Sequence, residues 1–180
     1  MIYNSSDIST ISGSRNLPAI KRIGFVGNIL PLKGIDLFFK IARQFNNKSD
    51  FKFLIFGKNL ININFPKEVE YKGFCSREEI YRNIDILLVC PREPEAFSLT
   101  PLEAQSFGIP VIAPRFGSFP ESIEHNFSGL LYDTPAEIEK FIYQLTNQAT
   151  YQCFSKCAVK KAGNFEKSAF DQQIYELFRI

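Results

Sequence analysis

Two carboxylates, Glu95 and Glu103, stand eight positions apart, on either side of Phe97-Ser98-Leu99-Thr100-Pro101. Proline is pre-set for the first position of a helix, where its missing N–H costs nothing. The pattern predicts Thr100 as the cap, Pro101 as the first helical residue and Glu103 as the partner that completes a capping box. Glu95 then lies in the loop before the helix and Glu103 in its first turn. The first N–H groups of a helix have no partner inside it and favour an anion, phosphate above all. A loop carboxylate, a set of such amides and a first-turn carboxylate together suit a sugar nucleotide.

The elements that must hold these groups can be read from periodicity. Lys21 to Gly27 reads as a strand, Asn28 to Leu32 as a loop, and Lys33-Gly34 as the opening of a helix running to about Phe45. Within it Ile35, Leu37, Phe38, Ile41 and Ala42 recur at helical spacing. Asp50 to Phe56 is a second strand ended by Gly57, and Val69 to Tyr71 a third. Gly73-Phe74 turns into a helix capped by Ser76 with Glu79. The run Ile84 to Cys90 is almost wholly apolar, as a strand covered on both faces should be. Pro110 to Ala113 is the fifth strand, Gly117 to Glu124 a turn with a short helix, and Gly129 to Tyr132 a last strand. Helices are predicted over 134–148, 150–162 and 167–179. Strands alternating with helices predict an α/β fold with a doubly wound parallel sheet. Such sheets bind ligands at the carboxyl ends of their strands, where Lys33, Gly73, Glu95 and Glu103 would converge.

Composition narrows the classes. A chain of 180 residues, 45% hydrophobic and 22% charged, suits one globular domain. Its formal net charge is +2 and no basic run tracks along it, which argues against a nucleic-acid partner. No apolar run approaches the ~20 residues that span a bilayer, and the first ten residues lack the basic start and apolar stretch of a secretory signal. Cys75, Cys90, Cys153 and Cys157 read as free thiols of a cytoplasmic protein, and the one histidine, His125, as a turn residue. No Asp-x-Asp motif and no spaced ligand set points to a metal, and the glycine fingerprint of nicotinamide enzymes is absent.

The ordered set Glu95-Ala96-Phe97-Ser98, Leu102-Glu103-Ala104, Gly108-Ile109-Pro110-Val111-Ile112-Ala113, Gly117 to Glu121 and Ser128-Gly129-Leu130-Leu131 resembles the signature of the family 4 glycosyltransferases. These are retaining enzymes of the GT-B fold. The resemblance extends over about residues 2–178 and covers the donor-binding half, a Rossmann-like half of a GT-B enzyme. It implies residues 1–20 as a linker-like segment, 21–148 as the nucleotide-sugar-binding domain and 149–180 as closing helices of the same domain, the last packing across the other half. The N-terminal, acceptor-binding half would be missing from this chain.

The resemblance also implies roles. Glu103 would accept hydrogen bonds from the ribose hydroxyls of the donor. Glu95 would hold the transferred sugar and support positive charge at its anomeric carbon. The amides of Phe97, Ser98 and Leu99 would face the diphosphate. The turn Gly27-Asn28 and Lys33 would reach the donor phosphates, with Asn28 standing where arginine is usual. Gly73-Phe74 would lie near the nucleobase, and Glu121 would be structural. The implied reaction moves a sugar from a nucleoside diphosphate to a glycan or lipid-linked acceptor, in polysaccharide biosynthesis, with no cofactor and no metal. It would take place in the cytoplasm, with any membrane contact made through the missing half. A rival reading is a nucleotide-sugar-binding module that is inactive alone, as a fragment or as one subunit of a split transferase. A GT-B epimerase or phosphorylase would need further residues that the chain does not display.

Overall fold

The computed structural model describes residues 15–165. Residues 1–14 of the expected linker-like segment and the last predicted helix, 167–179, lie outside the described residues. Six strands, β1 (Lys21–Val26), β2 (Phe51–Phe56), β3 (Val69–Gly73), β4 (Ile86–Leu88), β5 (Val111–Pro114) and β6 (Gly129–Tyr132), form one sheet. Their order is β3-β2-β1-β4-β5-β6, and every adjacent pair is parallel. The doubly wound α/β fold expected from the alternation is therefore present. The order reverses between β1 and β4, the position at which open sheets of this kind leave a ligand crevice.

Helices α1 (Ile35–Gln44), α2 (Arg77–Arg82), α3 (Leu99–Ser106), α4 (Phe119–Ser122), α5 (Glu137–Gln144) and α6 (Gln148–Gly163) cover the sheet. Side chains alternate across it. Ile23, Phe25, Phe53, Ile55, Leu88 and Ile112 pack with α1 and α5 on one face. Leu54, Phe56, Leu87, Val111 and Ala113 pack with Tyr81, Ala104 and Phe119 of α2, α3 and α4 on the other. Covering both faces explains why the β4 run has no polar alternation. The abundant phenylalanines fill the first face. Phe25, Phe38 and Phe53 meet edge to face at 5.5 and 5.6 Å, and Phe45 meets Phe51 at 4.7 Å.

Two helix boundaries differ from expectation. The helices predicted over 134–148 and 150–162 run over Glu137–Gln144 and Gln148–Gly163. Helix α5 stops at Gln144, and Asn147 starts α6 by accepting the Thr150 N–H at 3.0 Å. Thr134 and Pro135 lie before α5. The Glu137 carboxylate accepts the N–H groups of Asp133 and Thr134 at 2.8 and 2.9 Å, and these two bonds hold its pKa below the usual carboxylate range. Before β1, Arg15 donates from its backbone to Ser155 Oγ at 2.9 Å and from Nη1 to the Tyr81 carbonyl at 2.9 Å. This part of the expected linker is fastened to the domain.

His125 is built into the turn before β6. Its Nδ1 accepts the Leu131 N–H at 2.9 Å, which requires the neutral ring. Burial, and then the Arg115 charge, lower its pKa against the opposing pull of Asp133 and Glu137. A histidine whose folded pKa lies below the unfolded value of ~6.5 contributes stability that is present above that value and lost as pH falls below it. The urea midpoint is therefore expected to fall between pH 7 and pH 5.5. His125→Ala should be less stable at pH 7 and show a smaller fall, a difference that paired denaturation curves would measure.

Candidate donor site at the strand switch

The crevice at the switch point is a cavity of about 220 Å³. The ends of β1 (Phe25, Val26) and β4 (Leu88), the turn Gly27-Asn28, Leu30, Lys33, Val89 to Pro91, Glu95, Ser98 and Thr100 line it. Of the residues singled out from sequence, Gly27, Asn28, Lys33, Glu95 and Ser98 come together here. Phe97, Leu99, Glu103, Gly73 and Phe74 lie outside its lining.

Lys33 ends a 3-10 turn, Pro31–Lys33, and Gly34 follows in the left-handed region at φ 68°. Lys33 Nζ meets Glu95 Oε1 at 2.7 Å, so the two expected catalytic side chains are paired with each other. Their loops are tied by the backbone as well. The Arg92 N–H donates to the Leu32 carbonyl at 2.9 Å, and the Arg92 guanidinium meets Asp36 Oδ2 at 2.6 Å. Gly34 makes this possible, because a Cβ there would stand 1.7 Å from the Cys90 carbonyl oxygen. From the other side, the Ser118 N–H donates to the Glu95 carbonyl at 3.1 Å. Gly117, at φ 60°, passes so close that a Cβ would lie 3.0 Å from the Glu95 backbone. Gly34, Gly117 and Ser118 thus position the pair. For Gly117-Ser118 the sequence carried a signal only as part of the longer motif, while for Gly34 nothing in the sequence pointed to Cys90.

Helix α3 begins earlier than predicted. Ser98 is its N-cap position, Leu99 and Thr100 are its first two residues, and Pro101 is third. Thr100 is therefore no cap, and Glu103 sits in the second turn instead of closing a box. Pro101 is tolerated because the third N–H of a helix has no intrahelical partner either. The amides of Ser98, Leu99 and Thr100 remain at the helix start, beside the cavity that Ser98 and Thr100 line. Glu103 faces α2. Tyr81 donates its hydroxyl to Glu103 Oε2 at 2.8 Å. Burial, and then the nearby Glu103 carboxylate, push the Tyr81 phenol well above its ordinary pKa, which keeps it a donor. Sequence reasoning did not find Tyr81, since an apolar position in a helix carries no mark of its partner.

Beyond the cavity, toward the sheet edge, Gly73 is left-handed at φ 74° and has open space where a Cβ would stand. Phe74 is 76% exposed, and Lys58 Nζ lies 5.4 Å from its ring centroid. Glu121 is half-buried in α4. Among the described residues no group of three or more His, Cys, Asp or Glu side chains could hold a metal ion, no disulfide forms, and no helix is long and apolar enough to cross a membrane.

Known proteins carry the same domain. The D-inositol 3-phosphate glycosyltransferase of Corynebacterium efficiens is 27% identical over 180 residues, covering 88% of this chain and 42% of that protein. An uncharacterized 41.2 kDa protein in the cps region of Klebsiella pneumoniae is 30% identical over 149 residues, covering 73% of this chain and 40% of the other. The chain therefore spans about two fifths of the length of these relatives. Among solved structures, S. aureus TarM superimposes with a TM-score of 0.81 at 19% identity, over 99% of this chain and 39% of that one. Anabaena HepE, solved in complex with UDP-glucose, superimposes with a TM-score of 0.75 at 20% identity, over 89% and 49%. At these identities the two structures bear on the fold. The model of the family described as glycosyl transferases group 1 matches residues 13–160, and this chain belongs to that family.

Proposed function

We propose that this chain is the donor-binding, C-terminal half of a retaining family 4 glycosyltransferase, which moves a sugar from a nucleoside diphosphate to a hydroxyl of a glycan or lipid-linked acceptor. The observation that carries the reading is the Lys33–Glu95 pair at 2.7 Å, set in the cavity at the strand switch beside the start of α3. The charges that develop in glycosyl transfer match this arrangement. As the bond between the anomeric carbon and the leaving phosphate lengthens, negative charge gathers on the phosphate. Lys33 and the amides of Ser98 and Leu99 receive it in this scheme. Positive charge gathers on the sugar ring, and Glu95 faces it. Glu95 serves here as an electrostatic and positioning group, not as a covalent nucleophile. The ribose falls to Glu103, whose Oε2 accepts the Tyr81 hydroxyl at 2.8 Å. No metal is needed in this scheme, because a lysine and backbone amides carry the phosphate charge.

A calorimetric titration of UDP, GDP and ADP into the full chain tests the reading. One diphosphate is expected to bind selectively, and Glu103→Ala to weaken it about ten-fold or more. A hydrogen bond to a charged acceptor is worth roughly 1.5–3 kcal/mol, and ten-fold is ~1.4 kcal/mol. Binding of none of the three by the folded chain would reduce the reading to shared ancestry.

A second reading is favoured by one observation, the two-fifths share of its relatives' length that the chain spans. On that reading the chain binds a nucleotide sugar but transfers nothing until an acceptor-binding half is supplied. The cavity agrees with a half-site. Its 220 Å³ is below the ~300 Å³ at which ligand pockets usually begin, so a bound donor extends beyond its lining.

A further inference from the structure

The side-chain charges lining the cavity cancel one another. Lys33 is the single cation among its lining residues, and the Glu95 carboxylate 2.7 Å away balances it. Asn28, in the turn that follows β1, brings an amide and no charge. The neighbouring strand carries the missing cation. Strands β1 and β2 run in parallel register from Lys21↔Phe51 to Val26↔Phe56, which sets Asn28 beside Lys58. The register is held past the strand ends, because the Ile29 N–H donates to the Lys58 carbonyl at 2.9 Å. Lys58 is exposed and has no carboxylate partner among the described ion pairs. Its ammonium rests over the Phe74 ring at 5.4 Å. The strand order places the end of β2 between the cavity, at β1 and β4, and the exposed Phe74 at the end of β3. A nucleotide with its phosphates in the cavity and its base on the Phe74 side must cross Lys58.

We infer that Lys58 is the second phosphate-binding cation of the donor site, poised on Phe74 in the free chain and turning onto the diphosphate when a nucleotide spans the two places. The inference rests on the donor-site reading above. It assigns to the β2 end a role in recognising charge that Asn28 leaves unfilled. A lysine suits this role because its ammonium is a compact charge on a flexible stem, able to change partners without moving the backbone.

The test is titration of the same three diphosphates into the full chain and its variants. Lys58→Ala is expected to weaken the preferred diphosphate about ten-fold and to flatten the salt dependence of binding, while Lys58→Arg stays within about three-fold of the unsubstituted chain. Adding Asn28→Arg to Lys58→Ala puts a cation directly on the cavity wall and should recover most of the loss. In a Phe74→Ala background the Lys58→Ala loss should persist. If it vanishes there, Lys58 acts only by holding the ring, and the inference is overturned. It is also overturned if Lys58→Ala binds within two-fold of a binding-competent unsubstituted chain, an outcome that leaves the donor-site reading standing. Failure of the unsubstituted chain to bind any diphosphate would sink both.

Discussion

Gly34→Ala is expected to lower the thermal midpoint by on the order of 10 °C. Two costs add. At φ 68° a residue with a Cβ pays roughly 1–2 kcal/mol for the left-handed conformation. The Cβ would also stand 1.7 Å from the Cys90 carbonyl oxygen, a backbone atom that cannot rotate away. Relieving such a contact costs roughly 1–3 kcal/mol when the structure can shift at all. A total of about 3–4 kcal/mol, at ~2–4 °C per kcal/mol for a chain of this size, gives the expected drop. The damage is local to the site, because separating Gly34 from Cys90 pulls the Lys33 turn from the loop that carries Glu95. Gly163 supplies the control. It lies in α6 with nothing within 4 Å of its would-be Cβ, so Gly163→Ala should be neutral or slightly stabilising. Melting curves of the two variants beside the unsubstituted chain decide the matter, and a Gly34→Ala midpoint within 3 °C would refute the close packing on which the site is built.

The same glycine illustrates what could be read from sequence. The fold was legible because apolar runs of strand length alternate with segments of helical period, and β1, β2 and β6 fall within a residue of their expected limits. Lys33 and Glu95 were legible as a pair because each follows a strand end and parallel strands bring their carboxyl ends to one edge, whereas Gly73 and Glu103, expected in the same crevice, lie outside its lining. Helix α3 was misplaced for a specific reason. Proline is tolerated at any of the first three positions, so Pro101 marks a helix start without fixing which residue comes first. Glu103 then loses its expected capping role and meets Tyr81, a contact between residues 22 apart that no local pattern records. The division between α5 and α6 was expected at residue 149 and falls at residues 145–147, because Asn147 is the residue that caps α6. Lys58 was passed over because its meaning depends on which strand lies beside β1, a fact of topology and not of spacing.

Asp85 carries the second large expected effect, at the opposite end of the sheet from the site. Its side chain is 1% exposed, yet it is fully engaged. Arg22 donates Nε to Oδ2 at 2.9 Å and Nη2 to Oδ1 at 2.8 Å, and the Arg22 N–H donates to Oδ2 at 2.9 Å. Arg15 Nη2 lies 3.7 Å from Oδ1, and the Tyr151 hydroxyl donates to the Asp85 carbonyl at 2.9 Å. The carboxylate, through its hydrogen bond, raises the Arg22 pKa against the lowering effect of burial. One residue thus joins β1, the entry to β4, α6 and the segment before β1. Removing one partner of a buried pair typically costs ~3–5 kcal/mol. Arg22 and Arg15 are 28% and 19% exposed, so both can turn partly to water, which sets the expectation for Asp85→Ala at the lower end, about 3 kcal/mol. Asp85→Asn keeps an acceptor for the Arg22 N–H and loses the charge, so it should cost less than alanine. Urea denaturation at pH 7 with an unchanged slope would give both numbers. Since Asp85 is remote from the cavity, the folded variants should keep the diphosphate binding proposed for the unsubstituted chain. A loss of binding at full occupancy of the folded state would mean that this network holds the strand ends in place as well as the strand starts.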